Sequence, residues 1–116
     1  MKKVLLLAML LASSTVKAGN MEASAEKLTG CLFSYADSQI GTQSAPKDIS
    51  SRAFNHCANE LKDYRNSIGP DESQWDRLDE GQKQAIDKIR DNTTSGLSEN
   101  LSKQIADYVM EQRKGS

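Results

Sequence analysis

The sequence predicts an all-α protein, a small bundle of three to four helices with helices 1 and 2 cross-linked by one disulfide. Three observations carry this prediction. Apolar residues recur at three- and four-residue spacing along the chain beyond residue 20. No stretch shows the period-two alternation rich in β-branched residues that marks strands. Two cysteines, Cys31 and Cys57, fall on the apolar faces of two successive helical stretches.

The first eighteen residues stand outside this pattern. Lys2 and Lys3 form a positive start, Val4 to Ala12 is a short apolar run, and Val16-Lys17-Ala18 places small residues at a cleavage position. This three-part order is that of a secretory signal peptide, cleaved after Ala18. The run is shorter than the roughly 20 residues that span a bilayer. The expected organisation is a signal peptide over residues 1–18 and a single helical domain over residues 19–116. The leader carries Lys2, Lys3 and Lys17 and no acid. Its removal leaves twelve basic against sixteen acidic residues, a net charge of −4. An acidic domain has no general electrostatic attraction for nucleic acid or an anionic membrane. No later stretch is apolar enough to be an integral membrane segment.

Helix 1 is expected from about Asn20, a plausible N-cap, with Leu28, Cys31, Leu32, Tyr35 and Ala36 on its apolar face. It frays at Gln39 to Gly41, and Pro46 suits the first turn of the next helix. Helix 2 has the clearest stripe, Ile49, Ala53, Phe54, Cys57, Leu61, Tyr64 and Ile68, and Gly69-Pro70 ends it. Asp71 or Ser73 caps helix 3, whose apolar face is Trp75, Leu78, Ala85, Ile86 and Ile89. Gly81 weakens its middle, so residues 71–78 can form a separate turn. Asn92 to Gly96 are five poor helix formers in a row, and a break is expected there. Helix 4 then carries Leu97, Leu101, Ile105, Tyr108 and Val109.

Export decides how the cysteines read. Disulfides form and persist outside the cytoplasm, so Cys31–Cys57 is the expected bridge, with Gly30 and Ala58 small enough to let the helices approach. The pair lacks the Cys-x-x-Cys spacing of thioredoxin-like chemistry. Two cysteines and the single His56 do not make a four-ligand zinc site, and no cofactor is expected.

The remaining candidates for chemistry are few. His56 adjoins Cys57 and so turns away from the buried stripe, and no Gly-x-Ser-x-Gly nucleophile elbow exists. Asp71, Glu72, Asp76, Asp79 and Glu80 read first as complements to a helix dipole. Among the aromatics, Phe33 lies off the stripe, and Phe33 and Trp75 are the candidate interaction residues.

The stretch from Cys31 to Ile68, including Arg52-Ala53-Phe54-Asn55-His56-Cys57-Ala58-Asn59-Glu60-Leu61, resembles a pattern in small exported proteobacterial and phage-encoded helical proteins. There a cysteine-bearing helix is followed by a polar loop with Pro and a second cysteine-bearing helix. That resemblance implies no assigned activity. From Leu78 through Gln82 and Ile86 to Arg90-Asp91 the chain is also similar to helical lysozyme-inhibitor-like domains. It departs from them in having Ala85 near their usual Trp and no third cysteine. Export, a disulfide-stapled core and the absence of an assembled catalytic constellation make the expected function that of a non-enzymatic, periplasmic or secreted binding protein with an envelope or secreted protein as partner. The alternatives are an inhibitor of a cell-wall or secreted enzyme, or a small hydrolase using carboxylates such as Asp76 and Asp79.

Overall fold

A computed structural model describes residues 19–115; the predicted signal peptide, residues 1–18, lies outside them. The described chain is all-α, with five helices and no strand among the described residues. They are α1 (Gly19–Gln39), α2 (Pro46–His56), α3 (Ala58–Ser67), α4 (Glu72–Trp75) and α5 (Glu80–Gly115). Asn20, expected as an N-cap, lies among the helical residues of α1.

One apolar core joins four of them. Leu28, Leu32 and Ala36 from α1 meet Ile49 and Ala53 from α2, Cys57, Tyr64 and Ile68, and Leu101, Ile105 and Val109 from α5. Each set recurs at four or seven residues, so each helix presents one stripe and the stripes bury one another. Ser50 is the polar member of this interface. Its hydroxyl donates to the Ser102 carbonyl at 3.2 Å, so its burial leaves no unpaired group.

The stop and start signals act as their residues dictate. Pro46 opens α2 after Ala45. Gly69 follows the C-cap Ile68 with φ of 90°, a conformation open to glycine and costly for other residues. A Cβ there would also meet Ile86 Cγ2 at 3.3 Å. Asp71 caps α4 in a reciprocal box: its carboxylate accepts the Gln74 amide, and the Gln74 side chain accepts the Asp71 amide. Residues 72–75 are thus the separate short turn the sequence allows.

Four further expectations need correction. Helix 2 is not continuous: α2 and α3 meet at Cys57, whose φ of −101° and ψ of 30° interrupt the helix. The bridge therefore ties α1 to a junction between two helices.

The break at Asn92–Gly96 does not exist, and α5 runs through it for 36 residues, about 54 Å at 1.5 Å per residue. Five weak formers cost roughly 3 kcal/mol in helix propensity. No Pro follows Pro70 to enforce a stop, and the stripe on either side anchors the helix. Propensity yields to packing here.

Ala85 and Ile89 do not line the interior. Ile89 is 55% exposed, because the buried position beside it belongs to Arg90.

Gly30 and Ala58 are both exposed, and nothing lies within 4 Å of a Cβ built on Gly30. Their size is not what admits the bridge. Facing Cα atoms lie closer than the helix axes, because each sits about 2.3 Å out from its own axis.

Candidate functional site

The Cys31–Cys57 bridge is present, with Cα atoms 6.1 Å apart and S–S 2.06 Å. Cys57 is fully buried and Cys31 partly so. A Glu60 carboxylate oxygen lies 3.7 Å from Cys31 Sγ. A disulfide sulfur has no proton to donate, so this is a contact between an anion and the bridge. Cys31, Cys57 and Glu60 offer atoms within 4.8 Å of one another, yet both sulfurs are spent in the S–S bond. A thiolate metal site is closed in this state.

The richest side-chain constellation lies where α3 ends, α4 turns and α5 begins. Arg90 is the buried cation of the protein's described part, 7% exposed. Its Nε donates to the Ile68 carbonyl at 2.7 Å, and its Nη2 to the Pro70 and Asn66 carbonyls at 3.3 and 3.5 Å. The Asn66 and Ile68 carbonyls are acceptors that the C-terminus of α3 leaves open, at the negative end of its dipole, and Pro70 lies two residues beyond the C-cap. Trp75 covers the guanidinium, with its ring centroid 4.8 Å from Arg90 Cζ, and Lys83 Nζ stands 6.0 Å from the same ring. Outside Arg90, Arg65 donates from Nε and Nη2 to Asp91 at 3.2 and 2.8 Å and approaches Asp87 at 3.6 Å. These carboxylates raise its pKa.

Trp75 is half-buried, so part of its ring remains available. With Asn66, Pro70, Asp71, Glu72 and Arg90 it lines a cavity of about 170 Å³. Its lining combines the apolar Pro70 and Trp75 with the acidic Asp71 and Glu72. Two members of the acidic cluster, Asp71 and Asp79, act as helix caps. The Ser73 hydroxyl and the Gln74 amide hold the Asp71 carboxyl below its ordinary range. Asp79 accepts the Gln82 amide at 2.8 Å while the Gln82 side chain accepts the Asp79 amide at 3.1 Å, a second capping box at the start of α5.

Phe33 is not the free surface aromatic its position suggests. It packs edge-to-face on Tyr108 with centroids 5.3 Å apart. The Tyr108 hydroxyl donates to Asp37, which raises the phenol pKa. His56 lies against Tyr35, ring centroids 4.9 Å apart. At the far end, Arg113 repeats the role of Arg90: its guanidinium donates to the Ile40, Thr42 and Gln39 carbonyls at 3.1, 2.9 and 3.4 Å, closing the end of α1.

A wider groove of about 480 Å³ lies between α2 and α5, lined by Lys47, Ser50, Ser51, Ser102, Lys103, Ala106 and Asp107. Its residues are small or solvated. Among the described residues, no helix is long and apolar enough to cross a membrane. No family model matches the sequence, and neither curated proteins nor solved structures include a significant match.

Proposed function

We propose that this is an exported helical protein of the periplasm or extracellular space that works by binding a protein partner. The observation that carries the export reading is the Cys31–Cys57 bridge across the core, a bond that persists in oxidising compartments. The leader-like order of residues 1–18 supports the same address. Trp75 is the residue through which binding is read. A half-buried indole, held by a packed guanidinium and flanked by Pro70 and the acidic Asp71 and Glu72, suits a partner presenting an apolar side chain beside a basic one. Cell-wall and secreted enzymes are one class of such partners. The hydrolase alternative loses support from Asp79, whose carboxylate is engaged in capping α5.

Two measurements test the reading. Intact mass of the exported protein should show cleavage after Ala18 and two thiols that alkylate only after reduction. A retained leader or two free thiols in native protein would refute the address. Crosslinking in the periplasm should then capture a partner whose yield drops with Trp75→Ala and with Glu72→Lys. Unchanged capture by both variants would remove this surface from the proposal.

A further inference from the structure

The junction at Cys57 has no local sequence cause. Helices bend sharply at Pro, at Gly or Ser pairs, at bulges or where a group inserts. Asn55-His56-Cys57-Ala58-Asn59 contains neither Pro nor Gly. The apolar stripe also runs through it at helical spacing, with Ile49, Ala53 and Cys57 before Tyr64 and Ile68. Yet Cys57 acts as C-cap of α2 and N-cap of α3. Its amide donates to the Ala53 carbonyl at 2.9 Å, and its carbonyl accepts the Leu61 amide at 3.0 Å. A helix start leaves its first amides without intrahelical acceptors. On α3 these are Ala58, Asn59 and Glu60, which a continuous helix would pair with Phe54, Asn55 and His56. No side-chain cap replaces those bonds. Something must hold the interruption against this gain, and the interrupted residue is the one bonded covalently to α1.

We infer that the disulfide clamps the α2–α3 bend, and that reduction by a dithiol releases residues 46–67 into one continuous helix. The chemistry is ordinary exchange. A dithiol thiolate attacks Cys31 Sγ, the less buried sulfur, and Cys57 leaves as a thiolate that takes up a proton. The second thiol of the reductant then attacks the mixed disulfide. Cys31 departs as a thiol and the reductant as its cyclic disulfide, two electrons having passed to the protein. The bridge is thereby a redox-sensitive hinge as well as a staple.

The test is amide exchange and carbon chemical shifts by NMR on the mature chain, with and without dithiothreitol. The expected result is a helical Cα shift at Cys57 and exchange at Ala58, Asn59 and Glu60 slowed about tenfold, with Ile105 still protected. The variant Cys31→Ala/Cys57→Ala, which buries no thiol, should give the same pattern without reductant. Persistence of the non-helical shift at residue 57 with fast exchange at 58–60 would show that packing on α1 and α5 holds the bend, and would overturn the inference. Loss of protection at Ile105 in both samples would overturn it equally, since no folded open-bridge state would then exist.

Discussion

Arg90 shows how one side chain fixes the geometry of three elements. Its position in the chain is a stripe position, one turn beyond Ile86 and one before Thr94, and an arginine there reads as an interruption of the apolar face. The structure fills that place with the alkyl stem and turns the fork onto three carbonyls around the end of α3. Arg90→Met keeps the stem and removes the donors. It should cost about 3 kcal/mol in urea unfolding, because hydrogen bonds to charged groups contribute the most and their loss orphans the acceptors. Arg90→Lys should recover only part, since an ammonium does not fork. Asp71 acts at the same scale through charge. Its carboxyl is lowered from 3.8 by the Ser73 hydroxyl and then the Gln74 amide. A lowered folded-state pKa gives stability that is fully present above the unfolded value and lost as pH falls through the folded one. The stability gap between wild type and Asp71→Ala should therefore be constant near neutrality and close below about pH 4. A gap that persists at pH 2 would assign the cap's effect to something other than the ionised carboxylate.

At the scale of the element, the helix that breaks and the helix that continues are both the reverse of what local pattern predicts. The Asn92–Gly96 segment is poor in helix formers, but it sits between turns that α5 must bury in register, and nothing there forbids helix. Gly96 is an ordinary mid-helix glycine with open space around its missing Cβ. Gly96→Ala should therefore stabilise the protein by up to about 1 kcal/mol in thermal or urea unfolding. A loss of stability would indicate a turn at this point. The capping boxes tell the opposite story. Asp71-x-x-Gln74 and Asp79-x-x-Gln82 are written in the sequence, and the first is legible as a cap at Asp71 or Ser73, of which the structure selects Asp71. The second was present as the same pattern but was masked by Gly81, which reads as a weak point and is in fact the second residue of α5.

At the scale of the whole molecule, the bridge and the two arginines share one task. Arg113 closes the end of α1 onto α5, Arg90 closes the end of α3 onto α5, and Cys31–Cys57 joins α1 to the α2–α3 junction between them. The bridge closes a 26-residue loop, so its reduction should lower global stability by roughly 3–4 kcal/mol. Parallel urea titrations of oxidised and reduced protein measure this, and equal midpoints would mean that the unfolded chain is not constrained by the bond. A small domain has about 5–15 kcal/mol in all, so a loss of this size weakens the fold and leaves room for the open-bridge state proposed above.

The sequence by itself determined the helical class, the apolar stripes of α1, of α2 with α3 and of the second half of α5, the stops at Gln39 and Gly69-Pro70, and the pairing of two cysteines. Those are consequences of periodicity, of glycine and proline geometry, and of there being one possible partner for each thiol. Only the tertiary structure decided that helix 2 divides at Cys57, that α5 passes through its weak segment, that Phe33 is packed and Ile89 exposed, and that a stripe arginine caps another helix. The physical reason is common to all of these. Local propensities differ by about 1 kcal/mol or less per residue, whereas burial, a covalent link or a satisfied guanidinium is worth several times as much, and these depend on which other element stands opposite.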